Sequence, residues 1–263
     1  MSATLAAAEM IDLGVLDCSL DNGIATRAAI GLIVLATDQT MEREFHALLR
    51  LDGVAIYESR LFNDAEITPA TLRAIGPRIG PAAALILPGL PLNVVAFGCT
   101  SATMELGEEA VFAAIRESRP GIACTTPVTA AFAAFRALGA RRIGVLTPYA
   151  PDVNARVRAG LERGGVEVAA FGTFDKRDDR DAARISANSI ADAAIAMASR
   201  VALDAVFVSC TSLRVAEVVT EIEDRAGIPV TSSNHAIAWH ALRLAGVADR
   251  LPEAGRLFAT ALA

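Results

Sequence analysis

The chain has 263 residues, of which 53% are hydrophobic, 21% charged and 5% aromatic, so it can bury one large or two small cores and falls outside the disordered and disulfide-stapled classes. Thirty acidic residues against 24 basic ones leave a net charge of −6, which argues against a nucleic-acid partner, because phosphate recognition needs a concentrated basic face. No apolar run approaches the roughly 18 residues of a membrane helix, and Glu9, Asp12 and Asp17 stand where a leader would be basic; the expectation is a soluble, cytoplasmic protein without a membrane partner.

Short β-branched runs alternate with longer helical stretches, the pattern of parallel strands joined by helical crossovers. Residues 1–26 hold no strand pattern and read as an N-terminal arm. Strands are predicted over residues 30–35, 54–58, 94–97, 143–147, 167–171 and 205–209, most of them nearly continuous apolar runs, as expected where both faces of a sheet are covered. One helix lines Phe132, Phe135 and Leu138 along a face before Gly139. Another starts at Pro151, repeats Val153, Val157 and Leu161 every four residues and stops at Gly164 and Gly165.

The two halves of this pattern are related. Phe97-Gly98-Cys99-Thr100-Ser101 matches Val208-Ser209-Cys210-Thr211-Ser212 at an offset of 111 residues, and Ile30-Gly31-Leu32-Ile33 matches Ile143-Gly144-Val145-Leu146 at an offset of 113. Each Cys-Thr-Ser is followed by a predicted helix, a Gly-Ile step, a Thr/Ser-rich turn and an alanine-rich helix. The expected fold is α/β: two similar Rossmann-like lobes with parallel sheets, related by a pseudo-twofold axis, with the active site in the cleft between them. The Thr/Ser-rich turns at about 125–129 and 231–234 join the lobes. The first lobe then comprises residues 27–128 and 232–263, and the second residues 129–231.

The four cysteines, at 18, 99, 124 and 210, are too few and too scattered for a disulfide framework, and none forms a Cys-x-x-Cys pair. Three histidines, His46, His235 and His240, show no metal-ligand spacing, and no glycine-rich phosphate loop is present, so neither a metal nor a cofactor is expected. Cys99 and Cys210 differ from the other two: each is expected at the carboxyl end of a parallel strand and at the start of a helix, where open sheets bind ligands. There, unpaired backbone N–H groups and the helix dipole favour a thiolate and can cradle a carboxylate, with the following hydroxyls adding donors. One such cysteine could equally be a buried core residue; two facing each other across a cleft suit removing a proton from one face of a carbon and returning one to the other, against the alternative that Cys-Thr-Ser is an inherited strand-to-helix joint. Cys124 reads as core, His235 and His240 as packing or surface residues, Asn234 as a helix cap within reach of the cleft, and the acidic run 175–181 as a solvated loop from which Arg180 or Arg184 could approach a substrate carboxylate.

With these residues in view, the chain resembles the aspartate/glutamate racemase superfamily, in its maleate isomerase and arylmalonate decarboxylase branch. The resemblance spans about residues 27–250 and rests on the two Cys-Thr-Ser segments, the run 138–149 ending in Thr-Pro-Tyr, Ser233-Asn234 and Trp239. Three shorter strings, 35–40, 87–89 and Asp178-Asp179-Arg180, look most like ectoine-utilisation A proteins. The resemblance implies that Cys99 and Cys210 are the catalytic pair, that Thr100, Ser101, Thr211 and Ser212 help to bind a substrate carboxylate, and that Tyr149 hydrogen-bonds it. The family's decarboxylases lack the first cysteine, so Cys99 points to isomerisation or racemisation. Asp38 stands where maleate isomerases carry a substrate-binding Asn. A carboxylate there would repel a second substrate carboxylate and favour an amine or amidine, although Asp before a helix is also an ordinary cap.

The expected function is therefore a cofactor-independent isomerase or racemase of a small carboxylate, in ectoine or hydroxyectoine catabolism. A single-cysteine decarboxylase and a non-catalytic binding protein on the same scaffold remain as alternatives. Alanine-rich helices lead to the expectation of a homo-oligomer.

Overall fold

A computed structural model describes residues 10–262. Of the expected arm, residues 1–9 lie outside the described residues, and residues 10–26 contain no helix or strand. The elements that follow are β1 (Ala28–Leu35), α1 (Met41–Leu48), β2 (Val54–Leu61), α2 (Pro69–Arg73), α3 (Gly76–Leu85), β3 (Val94–Gly98), α4 (Thr100–Leu106), α5 (Glu108–Ser118), β4 (Ala123–Thr125) and α6 (Pro127–Leu138). The second half runs β5 (Arg142–Thr147), α7 (Pro151–Arg163), β6 (Glu167–Thr173), α8 (Asp179–Ala182), α9 (Ala187–Arg200), β7 (Ala205–Val208), α10 (Val219–Ala226), β8 (Val230–Ser232) and α11 (Ser233–Leu244).

Two four-stranded parallel sheets result, in the orders β2-β1-β3-β4 and β6-β5-β7-β8. The identical order makes the halves pseudo-twofold copies. In β1 every residue is buried, and its side chains alternate between two cores: Ile30, Leu32 and Val34 face α1 and α11, while Ile33 and Leu35 face the helices α2 to α5. β3 continues that alternation, sending Val95, Phe97 and then Cys99 to the second of these cores.

The lobes are laced together by α6 and α11. Helix α6 is capped by the Thr126 side chain, begins on Pro127 and ends on Gly139 in the left-handed conformation. One face, with Ala131 and Phe135, packs on the second sheet, where Phe135 meets Phe207 edge-on at 5.5 Å; the other, with Ala130, Ala133 and Ala134, packs in the core that holds α11. Helix α11 leaves β8 of the second sheet and buries Ile237, Trp239 and Leu242 against α1 and the first sheet. His235 and His240 belong to this packing. His235 contacts the Thr231 hydroxyl and the Ala254 carbonyl at 3.0 and 2.7 Å, and His240 the Thr125 hydroxyl at 2.8 Å.

One expected element is absent. The first Cys-Thr-Ser opens a helix, but the second opens a turn, and regular helix resumes only at Val219. The cause lies in the opposite lobe. The Thr211 carbonyl, which a helix would offer to Val215, instead accepts from the Thr40 hydroxyl and from Asn234 Nδ2 at 2.7 Å. The Val215 and Ala216 N–H groups both donate to Glu44 Oε1 of α1 at 2.6 Å. Both partners of the first helical hydrogen bond are thus occupied elsewhere. Asn234 is correspondingly not the cap of α11: Ser232 accepts from the His235 N–H in that role, and the Asn234 amide also donates to Glu44 Oε2 at 2.7 Å.

Candidate active site

Cys99 follows the last residue of β3 and is itself the N-cap of α4: its Sγ accepts from the Ala102 N–H at 3.4 Å, and the Ser101 hydroxyl lies 3.7 Å away. Thr100 and Ser101 occupy the first turn, where backbone N–H groups precede any intrahelical acceptor. The Thr100 hydroxyl donates to Ser233 Oγ at 2.8 Å. On the opposite lobe Cys210 follows β7, and its Sγ accepts from the Ser212 N–H at 3.4 Å. The Tyr149 hydroxyl, carried past the end of β5, is directed at the Cys210 sulfur.

Cys99, Thr100, Ser101, Tyr149, Cys210 and Thr211 line one cavity between the two sheet ends, and its wall also includes Asn63, Ile67 and the carboxylates Asp64, Glu66 and Asp179. Its free volume is about 20 Å³, room for little more than a water molecule. Beside it an isolated antiparallel bridge pairs Glu66 of the first lobe with Asp178 of the second. The Ile67 N–H donates to the Arg177 carbonyl at 3.2 Å, and the Asp179 N–H to the Ala65 carbonyl at 3.3 Å.

Burial in this closed cavity pushes the Cys99 thiol up to about 12 and raises the Cys210 thiol further, because a thiolate loses its hydration there. The nearby Asp179 charge adds to both shifts, while the N–H groups of Ala102 and Ser212 oppose them. Tyr149 is raised well above its ordinary value by burial and by the adjacent Cys210.

Asp38 is buried just behind this wall. Its Oδ1 accepts from the N–H groups of Thr40 and Met41, each at 2.8 Å, and so caps α1 from two residues ahead of the first helical turn. Its Oδ2 has no hydrogen bond. Burial, with a contribution from Asp179, pushes Asp38 up to about 6.

Most of the run 175–181 is exposed, as expected from its composition, but Asp179 turns inward. Asp179 is 6% exposed and lies in the cavity wall, its Oδ2 accepting from the Thr37 hydroxyl at 2.6 Å and its Oδ1 from the Ser212 hydroxyl at 2.5 Å. Asn63 holds Thr37 in turn, accepting from its N–H at 3.2 Å and donating to its hydroxyl at 2.8 Å. Arg180 and Arg184 point outward and pair with Asp178 and Asp181, so neither reaches the cavity. Asp179 and Asn63 carry no periodicity or motif that marks them, and only Asp179's place in a short shared string could have drawn attention to it. Cys124 lies in β4 with its thiol directed to the Ile122 carbonyl, outside the cavity, and Cys18 is exposed. Among the described residues no group of three His, Cys, Asp or Glu side chains is arranged to hold a metal ion, and no helix is long and apolar enough to cross a membrane.

A family profile described as arylmalonate decarboxylase matches residues 80–258. The chain is 35% identical to the arylmalonate decarboxylase of Bordetella bronchiseptica over 151 residues, covering 57% of this chain and 62% of that protein, less than two thirds of its length. It is 27% identical to the maleate isomerase of Nocardia farcinica over 238 residues, covering 87% and 94%. In three dimensions it superposes with a TM-score of 0.78 and 24% identity on a cysteine-to-serine variant of the Nocardia farcinica maleate cis-trans isomerase, solved with a covalently bound succinylcysteine intermediate, over 88% of this chain and 98% of that one.

Proposed function

The chain belongs to the arylmalonate decarboxylase family, and from that premise we propose that it is a cofactor-independent isomerase or racemase of a small carboxylate in which Cys99 and Cys210 are the catalytic pair. The observation that carries the proposal is that both thiols line one closed cavity from opposite lobes, with Tyr149 beside them. For racemisation, one cysteine as thiolate takes the proton from the carbon beside the carboxylate. The other, as thiol, returns a proton to the opposite face, so the two exchange protonation states in each turnover. The enediolate between these steps needs donors that stay in place while charge develops. The first-turn N–H groups of Thr100 and Ser101, with the Ser101, Thr211 and Tyr149 hydroxyls, supply them, while the Thr100 hydroxyl is engaged by Ser233 and the Ser212 hydroxyl by Asp179.

For an alkene substrate, the thiolate adds to one carbon and the opposing thiol protonates the other. The resulting single bond rotates until the carbon's original hydrogen faces the opposing thiolate, and loss of that proton expels the attacking thiolate to leave the isomer. The succinylcysteine intermediate of the Nocardia farcinica isomerase supports this variant. The shared strings 35–40, 87–89 and 178–180 favour a nitrogen-bearing acid of ectoine or hydroxyectoine catabolism as the substrate.

The test is proton NMR in deuterated water with maleate, aspartate, an arylmalonate, ectoine, hydroxyectoine and acetylated diaminobutyrate. Deuterium is expected at a carbon beside a carboxylate with one panel member, and it disappears in both Cys99→Ala and Cys210→Ala. Full activity in Cys210→Ala refutes the mechanism. The match to the Bordetella bronchiseptica enzyme favours a second reading, decarboxylation through Cys210 alone, which would release carbon dioxide from an arylmalonate and continue to do so in Cys99→Ala.

A further inference from the structure

We infer that Asp179 sets the substrate class of this pocket: it receives a cationic nitrogen at the end of the substrate opposite the carboxylate, so the site takes amino or amidino acids and rejects dicarboxylates. The inference deepens the proposed function and rests on it for where the carboxylate binds. Three observations support it.

First, Asp179 is a buried carboxylate in the cavity wall whose two side-chain partners, the hydroxyls of Thr37 and Ser212, are neutral. Among the described residues no Lys, Arg or His forms an ion pair with it, and the flanking arginines are drawn outward by Asp178 and Asp181. A buried charge is tolerable when it is paired, and the counter-charge missing here is one that a ligand can bring. A second ligand carboxylate would instead meet like charge in a site shielded from water.

Second, Asp38 adds negative charge on the same side without competing for the ligand. One of its oxygens caps α1, and its side chain is not part of the cavity wall. The discrimination that the sequence assigned to Asp38 therefore falls to Asp179.

Third, Asp179 belongs to the bridge beside the cavity, its N–H donating to the Ala65 carbonyl. Its charge also raises both catalytic thiols.

The experiment is isothermal titration calorimetry of the intact protein with 3-amidinopropionate and succinate, which share one skeleton and differ in carrying an amidinium or a carboxylate at one end. The unsubstituted protein is expected to bind the amidine more tightly, by on the order of a hundredfold. Asp179→Asn keeps an oxygen acceptor for one hydroxyl and removes the charge, and it is expected to lose or reverse that preference. Equal affinity, a preference for succinate, binding of neither compound, or an unchanged preference in Asp179→Asn overturns the inference. Failure of the proposed function reads differently: deuterium exchange is then absent while the amidine is still preferred. If exchange occurs through both thiols but succinate is preferred, only the inference falls.

Discussion

The strand end that precedes Cys99 packs closely because residue 98 is glycine, and that dependence can be measured. A Cβ at Gly98 would overlap the Met41 Sδ, and it would stand 2.8 Å from the Met41 Cε and 3.0 Å from the Ile33 carbonyl oxygen. The carbonyl is part of the central strand β1 and cannot retreat. Met41 is fully buried at the start of α1, where Asp38 fixes the backbone. Gly98→Ala therefore overpacks the join between β3 and α1, at a cost of about 1–3 kcal/mol. For a chain of this size that lowers Tm by roughly 2–12 °C. Met41→Ala alone leaves a cavity and costs about 2–5 kcal/mol. Because the methyl added at 98 enters the space vacated at 41, the double variant should be more stable than the sum of the single costs predicts, by about 1 kcal/mol or more. Urea denaturation of the four proteins reads this coupling, and simple additivity within about 0.5 kcal/mol refutes the reasoning. The duplicated lobe supplies a control: Ser209, at the position equivalent to Gly98, already carries a buried side chain, so Ser209→Ala should be tolerated far better.

The bridge beside the cavity can be locked. Glu66 and Asp178 form a non-hydrogen-bonded antiparallel pair, the arrangement whose close Cα spacing suits a disulfide, so Glu66→Cys with Asp178→Cys should lose turnover on oxidation and regain it with reductant; turnover unaffected by oxidation, with the bond verified by mass spectrometry, would mean the substrate enters elsewhere. Glu44→Gln puts an NH2 group where a carboxylate oxygen accepts from Asn234, and it should cost about 1–3 kcal/mol in denaturant unfolding. Burial pushes Glu44 up to about 7, above its unfolded range, so its contribution is present at low pH and lost as pH rises from about 4.5 through 7; Glu44→Gln should flatten that part of a Tm-against-pH curve. His235 and His240 are pushed down to about 4 by burial, so their contribution is present above about 6.5 and lost as pH falls toward 4, and His240→Gln should lessen acid destabilisation in that window.

The central strands of the two sheets were legible because they are buried on both faces: β1, β3 and β7 are apolar throughout and β5 is apolar between Arg142 and Thr147, runs that no helix period explains. Helix α7 was legible from Pro151, its four-residue repeat and Gly164. The short edge strands β4 and β8 were not, since Ala123–Thr125 and Val230–Ser232 are three residues each, are partly polar and read as turns. In the candidate site, the duplicated Cys-Thr-Ser drew attention to both thiols because a repeat exposes residues that neither copy would mark alone. Asp179 was hidden by its neighbours. Asp178 and Arg180 are surface residues that pair with each other, and a run of charges gives no local sign that one member turns inward to meet Thr37 and Ser212. That contact joins residues 142 positions apart and depends on the two lobes having closed.

The departure from symmetry bears on the chemistry. Racemisation or isomerisation by two thiols requires unlike protonation states at one moment, which identical environments would not favour. The lobes share a sheet order, yet Cys99 caps a helix and sits beside the Ser101 hydroxyl, whereas Cys210 stands at a turn beside the Tyr149 hydroxyl. That turn exists because Thr40, Glu44 and Asn234 take up the Thr211 carbonyl and the Val215 and Ala216 N–H groups that would have continued a helix. The same three residues tie α1 and α11 to the segment carrying Cys210. The contacts that hold the lobes together are therefore also those that give the two cysteines different surroundings, and loosening them should impair stability and thiol asymmetry together.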